Sequence, residues 1–437
     1  MSNVDLVLRL FLQIAVILVA CRVVGALGER IGQAQVVSEM VTGVLLGPSL
    51  AGYVAPAAQQ WLFPLQATIT VGGNTATIAH PSMAILYALS QVGLVLYMFL
   101  VGLEFNAGLL RGGLGRAGLI SFAGILVPFT LGAVASGRLA AQPGFFTPGV
   151  APWLAAMFMG ASMSITAFPM LARIIFEKGM TGTRIGTLAL AAGSIDDAVA
   201  WCLLAVVLAA FHGSPSLAVL AVAGAGVFAV GIVTVGRTLL ARLARWTDAH
   251  DGISPSTMLT TLVVIMGSAW FTDVIGIYAV FGAFLAGTAM PRGRFAAEMR
   301  GKIEPLTTAL LLPLFFVYSG LNTRIMLVNT PRLWLVTGLV VLLAVVGKGL
   351  ACTLAARWAG EPWHEAATIG TLMNARGLME LIILNVGLQA GIIGPTLFTI
   401  MVLMAIITTL MASPLFELIY GRHLARTPAG RPVELAG

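Results

Sequence analysis

The chain has 437 residues, 59% of them hydrophobic and 9% charged, where a soluble globular protein carries about 25% charged residues. This composition excludes a soluble enzyme and a nucleic-acid-binding protein and describes a polytopic membrane protein. The net charge of +7 is then loop charge that orients the spans rather than a footprint for nucleic acid.

The opening MSNVDLVLRL lacks a basic stretch, and no small-residue cleavage site follows it. The apolar run from Leu6 is therefore expected to be a retained first span. A helix needs roughly 20 apolar residues to cross the hydrocarbon. Windows of that size predict thirteen spans, at 6–27, 36–54, 83–104, 115–137, 150–174, 184–211, 216–236, 255–273, 275–291, 305–321, 333–356, 364–389 and 395–420. Span two carries Gly43 and Gly47, a small-xxx-small pair that predicts close helix packing. The long loop 55–82 contains ATITVGGNTATI (67–78), whose alternation around Gly-Gly-Asn predicts a small hairpin. Spans eight and nine are separated by a tight turn near Val274, and a short tail, 421–437, closes the chain.

Eighteen of the 24 Lys and Arg residues fall in the loops after odd-numbered spans and in the tail, and three (Arg138, Arg324 and Arg332) in the loops after even-numbered ones. This asymmetry predicts cytoplasmic odd loops, a cytoplasmic C-terminus and an N-terminus outside. Cys21, Cys202 and Cys352 stand far apart in apolar stretches without metal or disulfide spacing, and read as packing residues. The five histidines lie at span ends or in loops, show no metal-ligand pattern and are expected to be solvated.

FLVGLEFN (99–106) closes the third span, and FFVYSGLNT (315–323) closes the tenth. GVLLGPSLAG (43–52) in the second resembles GAFLAGTAMP (282–291) in the ninth. Both fit a shift of seven spans, and an odd shift inverts the second copy in the membrane. Inverted repeats are a signature of secondary transporters, with ion sites near the midplane where the repeats meet.

Charges at the centre of a span cost about 2.5–3.5 kcal/mol each on insertion scales, so each needs a reason. Asp196 and Asp197 fall deep in span six, Lys348 in span eleven, and Arg376 and Glu380 in span twelve. Glu39, Glu104 and Asp273 lie near span ends, where water is expected within reach. Adjacent helical residues point about 100° apart, so one aspartate can face a cation cavity while the other pairs with a base. Lys348 is the one lysine within a span and the natural counter-charge. Two close carboxylates resist ionising together, which suits a site where a proton and a metal ion compete. Arg376 and Glu380, spaced i, i+4, can form a structural or coupling pair.

Span five contains GASMSITAFPMLARI (160–174). Pro169 has no amide hydrogen and frees the carbonyl of Ile165, predicting a helix break. Ser162, Ser164 and Thr166 cluster beside it, and hydroxyls with exposed carbonyls make a hard-cation site. TLMNARGLMEL (371–381), seven spans later, holds Asn374 and Gly377 and marks a second break.

These motifs resemble the monovalent cation:proton antiporter-2 family over about residues 6–420. The resemblance is carried by EMVTGVLLGPSLAG (39–52), LYMFLVGLEFN (96–106), SITAFPMLARI (164–174), IDDAVAWCLLA (195–205), GAFLAGTAMPR (282–292), LLPLFFVYSGL (311–321), Lys348 and MNARGLMELIILNVG (373–387). TAFPMLARI and DDAVAW are most similar to the plant cation/proton exchanger and cyanobacterial sodium/proton antiporter branches. NARGLMEL also resembles the bacterial glutathione-gated potassium efflux systems. Those differ at the Asp196 position and carry a soluble nucleotide-binding domain, so gating of that kind is not expected.

The resemblance implies an all-α membrane domain over 1–420 with the sodium/proton antiporter fold: about 13 helices, inverted repeats, and two broken helices that cross. It implies a dimer scaffold from 1–110 and 250–325, an ion-carrying core from 111–212 and 326–420, and a linker at 213–249. Asp197 would be the essential carrier, Asp196 the partner of Lys348, and Thr166 and Asn374 would contribute near the crossing. The expected function is electrogenic exchange of Na+ or K+ for H+ by elevator-like alternating access. The protein would be a homodimer in the cell membrane, without cofactor, resident metal or enzymatic activity. A potassium efflux channel or uniporter on the same scaffold, and a non-transporting ion sensor, are the rival readings.

Overall fold

The computed structural model describes residues 3–421 apart from 31–32, 34, 72–73, 105–113, 141–143, 178–179, 181–182, 212–214, 250–251, 277, 322 and 324. Among the described residues, nine helices are long and apolar enough to cross a membrane. Every one of the thirteen segments expected to span is helical.

In chain order these are α1 (Asn3–Arg30), α2 (Gln35–Leu46) with the short α3 (Ala51–Val54), α5 (Pro81–Glu104) and α6 (Leu114–Leu139). Then come α7 (Pro152–Ser164) with α8 (Phe168–Glu177), α9 (Arg184–Phe211), α10 (Pro215–Gly231), α12 (Pro255–Val274) and α13 (Ala279–Ala289). The last are α15 (Leu312–Leu321), α16 (Pro331–Ala344) with α17 (Ala351–Trp358), α18 (Trp363–Met373) with α19 (Leu378–Gln389), and α20 (Pro395–Phe416).

The outer loop holds α4 (Pro56–Leu62) and the expected hairpin. Strand β1 (Gln66–Val71) pairs antiparallel with β2 (Asn74–Ala79), Gln66 opposite Ala79 and Val71 opposite Asn74. The turn residues Gly72 and Gly73 lie outside the described residues. Gln13 of α1 ties this loop down, its Nε2 donating to the carbonyl of Leu62 at 2.6 Å.

Two stretches read as loops are helices. A π-helical turn at Ile232–Gly236 carries α10 on into α11 (Arg237–Ala249), and α14 (Arg294–Leu306) precedes α15. Leu240, Leu243 and Thr247 of α11 recur at helical spacing and are buried; α11 packs against α14, whose Phe295 and Met299 are also buried. Both helices are amphipathic, so windows tuned to continuous apolar runs pass over them.

Two groups of close helix contacts stand out, and one hydrophobic core runs through both. In one, α2 packs on α1 and α15, and α5 packs on α13 and α15. The expected close approach of span two is real: a Cβ on Gly43 would lie 2.6 Å from the carbonyl oxygen of Val317, and one on Gly47 3.2 Å from that of Gly320. In the other group α6 packs on α7, α9 and α17, and α18 lies on α17.

Two solvent expectations fail. Glu39 does not reach water: it is 3% exposed and accepts from Gln35 Nε2 at 3.3 Å, because α1 and α15 cover α2. His80 is buried at the start of α5, its Nδ1 2.9 Å from Ser82 Oγ. Glu104, by contrast, is half exposed and paired with Arg300, and Asp273 is exposed. Cys21 and Cys352 are buried, Cys202 is exposed, and all three are free thiols.

Candidate ion site

The site is built from two interrupted helices. α7 ends at Ser164, Ile165 turns extended (φ −71°, ψ 139°), and α8 starts at Phe168. Pro169 lies in the first turn of α8, just past the gap. A proline fits there because first-turn amides have no helical partner, and it denies Ile165 the bond that would carry the helix through. The second interruption runs over Asn374–Gly377, between α18 and α19. The breaks meet: the Ala167 amide donates to the carbonyl of Ala375 at 3.4 Å.

The paired aspartates of α9 enter this crossing in different states. Asp196 is 1% exposed and saturated with donors. Its Oδ2 accepts from Lys348 Nζ at 2.8 Å and from Thr166 Oγ1 at 2.6 Å, and its Oδ1 from Ser121 Oγ at 2.5 Å. Lys348 is fully buried in a π-helical turn, Val345–Leu350, between α16 and α17. Such single-turn bulges shift the face a side chain presents and recur at functional sites. Gly124 of α6 leaves room for the pair: a Cβ there would lie 2.6 Å from Cys352 Sγ and 3.8 Å from Asp196 Oδ2.

Asp197, 8% exposed, accepts a hydrogen bond from the backbone amide of Phe168, the first residue of α8. Its Oδ1 has no partner. Buried polar atoms without partners are few in folded proteins and call for an explanation. Four more occur on elements of the crossing: Ser162 Oγ on α7, Asn374 Oδ1 and Arg376 Nε at the second break, and Glu380 Oε1 in the first turn of α19. Lys348 balances one of the two carboxylates. The other keeps a buried charge that a cation or a proton must compensate.

Arg376 and Glu380 pair as the spacing predicted, at 3.4 Å. Arg376 also reaches the first broken helix, donating to the carbonyls of Ser162 (3.3 Å) and Met163 (2.6 Å). Lys348 takes the carbonyl of Ser164. Two cations therefore cap the last three carbonyls of α7, where a helix C-terminus attracts positive charge; the carbonyl of Ile165, the one that Pro169 is expected to free, lies just beyond them. The Ser164 hydroxyl turns onto its own helix, donating to Ala161 O at 2.8 Å. Ser121 escaped sequence reading because a lone serine in an apolar span carries no signal of its own. Among the described residues, no three His, Cys, Asp or Glu are grouped to hold a resident metal.

The chain matches the family model for the transmembrane sodium/hydrogen exchanger over residues 14–419. It is 40% identical over 432 residues to the Na+/H+ antiporter NhaS4 of Synechocystis, an alignment covering 96% of this chain and 98% of that protein. It is 36% identical over 427 residues to cation/H+ antiporter 17 of Arabidopsis thaliana, covering 95% of this chain and 49% of the plant protein, about half its length. Its fold is similar to that of the sodium proton antiporter MjNhaP1 from Methanocaldococcus jannaschii, with a TM-score of 0.64 at 13% identity, over 98% of this chain and 100% of that one. The crossing of two broken helices beside a buried acid pair thus sits in a known antiporter fold, and the chain belongs to the sodium/hydrogen exchanger family of monovalent cation:proton antiporters.

Proposed function

We propose that this protein is an electrogenic secondary antiporter that exchanges Na+ or K+ for H+, with Asp197 as the carrier. The observation that carries this reading is the asymmetry of the acid pair. Asp196 is saturated by Lys348, Thr166 and Ser121, whereas Asp197 keeps a buried oxygen with no partner. A cation at Asp197 draws on the free oxygens of Ser162 and Asn374. A proton arriving at Asp197 displaces it, because one site holds either charge but not both.

Electrogenicity follows from the neighbour. When Lys348 leaves Asp196 it uncovers the carboxylate and the Ser164 carbonyl together. Asp196 then takes a second proton, so that two protons move against one cation; Thr166 follows Asp196. Alternating access is a movement of the core (111–212 and 326–420) against the scaffold (1–110 and 250–325), with 213–249 linking them. The grouping of helix contacts supports that division. The protein acts as a homodimer in the cell membrane, N-terminus outside and C-terminus in the cytoplasm. The Synechocystis relative is named for sodium, which makes Na+ the first cation to test.

The test is collapse of an imposed pH gradient in proteoliposomes, with Na+ and K+ added separately. Wild type is compared with Asp197→Asn and Asp196→Asn. Cation-driven proton movement that vanishes in Asp197→Asn supports exchange at this residue. Cation flux without proton movement in the wild type selects the channel or uniporter instead.

A further inference from the structure

The seven-span relation that pairs the two broken helices also pairs α9 with α20. Asp197 lies thirteen residues past the start of α9 at Arg184, and Thr409 fourteen past the start of α20 at Pro395. Each helix carries polar side chains to the break beside it, two from α9 and one from α20. From α9, Asp196 accepts from Thr166 within the first break and Asp197 from the amide of Phe168 at its edge. From α20, Thr409 meets the second break. Its Oγ1 accepts from the Arg376 amide at 3.3 Å and lies 2.5 Å from the Arg376 carbonyl oxygen.

Inside a membrane every backbone polar group needs a partner from the protein. An interrupted helix leaves several without one, and here the Thr409 hydroxyl accepts the Arg376 amide. The one hydroxyl proton is shared between two carbonyls, that of Arg376 at 2.5 Å and that of Ala405 on its own helix at 2.6 Å, so Thr409 bridges α20 and the break. Three neighbours of that contact bear on the ion site. Asn374 holds a free buried oxygen, Ala375 receives the amide bond from the first break, and the Arg376 guanidinium caps α7.

We propose that Thr409 is a positioning residue for cation binding, the counterpart in the second repeat of the acid pair in the first. It holds the Asn374–Gly377 stretch at the height where Asn374 and the capped end of α7 face the cation. This inference rests on the ion site proposed above.

The test is the Na+ concentration dependence of exchange in proteoliposomes, with K+ in place of Na+ if K+ is the better substrate. Thr409→Val keeps the volume and removes the hydroxyl. Its KM is expected to rise roughly fivefold to thirtyfold, the equivalent of one or two buried hydrogen bonds, with the maximal rate within about twofold of wild type on that same scale. Thr409→Ser restores the hydroxyl and is expected to return KM to the wild-type range. The neighbour Thr408 donates to its own helix, at Met404 O (2.9 Å) and Ala405 O (3.2 Å), so Thr408→Val is expected to leave KM unchanged.

A wild-type KM in Thr409→Val overturns the proposal, and so does an equal rise in Thr408→Val, which would mark a general loss of packing in α20. Should Thr409→Val not accumulate as folded dimer or monomer, Thr409→Cys replaces it. The thiol fits the space and bonds weakly, so the same rise in KM is expected and an unchanged KM is again fatal. Asp197→Asn is measured alongside. Exchange surviving in Asp197→Asn overturns the site itself, whereas an inactive Asp197→Asn beside a wild-type Thr409→Val overturns the role of Thr409 alone.

Discussion

The amide of Ala167 donates to the carbonyl of Ala375 at 3.4 Å, so the two helix breaks are joined backbone to backbone. Four half-helix ends gather around that bond: α7 and α18 finish there, and α8 and α19 begin. Helix C-termini carry partial negative charge and N-termini partial positive charge. The fixed charges answer this pattern. Arg376 and Lys348 sit on the end of α7, Asp197 on the start of α8, and Glu380 in the first turn of α19. Three of the four ends thus meet a complementary charge before any ion arrives, while Lys348 balances only one of the two aspartates.

The Asp196–Lys348 pair is expected to behave as a unit. Removing one member leaves a buried charge, at a cost of about 3–5 kcal/mol. Lys348→Met and Asp196→Asn should each lower the melting temperature in detergent. The double variant Asp196→Asn/Lys348→Met should recover a large part of the loss. Additive losses in the cycle would mean that the two groups do not depend on each other.

Arg376 makes contacts that lysine cannot copy, because a planar fork spans two carbonyls and a carboxylate while an ammonium is a point charge. Arg376→Lys should strand carbonyls at the end of α7, each stranded group costing about 1–3 kcal/mol. Exchange is expected to fall at least tenfold by that estimate, together with thermal stability. Glu380→Gln keeps an acceptor for the guanidinium and should be milder on both measures. A silent Arg376→Lys in the pH-gradient assay would refute the capping role.

Gly320 of α15 faces Gly43 of α2 so closely that a Cβ would fall 2.5 Å from the Gly43 backbone. Gly320→Val should push the helices apart, with an overpacking penalty of about 1–3 kcal/mol or more. Gly118 of α6 has nothing within 4 Å of its Cβ position, so Gly118→Ala should be neutral or slightly stabilising. Melting curves of the two variants check this contrast, and similar losses in both would contradict it.

His80, outside the spans, has its imidazole pKa held below the usual 6.5, chiefly by burial and next by the nearby charge of Arg9. The folded protein therefore binds this proton less readily than the unfolded chain. Its contribution to stability is complete above about pH 6.5 and declines as pH falls below that value. Protonation would also remove the Nδ1 acceptor that serves the Ser82 amide at 3.3 Å. Melting temperatures of wild type should drop more steeply from pH 7 to pH 5 than those of His80→Asn. Parallel curves would show that His80 does not titrate in this window.

The sequence by itself determined the membrane class, the apolar helical segments though not the amphipathic α11 and α14, the hairpin and the candidates for the site. Continuous apolar runs, Gly-Gly-Asn between alternating residues, and charges too costly to bury idly are local signals, each readable within some twenty residues. It also separated Asp196 and Asp197 by angle, without deciding from spacing alone which one Lys348 would take. The tertiary structure decided what depends on distant packing. Ser121 reaches Asp196 across 75 positions and Arg376 reaches Met163 across 213, and no local pattern encodes either meeting. Glu39 looked accessible from its place near a span end, yet α1 and α15 bury it. Pro169 pointed to the carbonyl of Ile165, but nothing in the sequence brought Arg376 and Lys348, from spans twelve and eleven, onto the last three carbonyls of α7. Periodicity and breakers act along the chain; the saturation of Asp196 and the open oxygen of Asp197 were settled only where four helix ends came together.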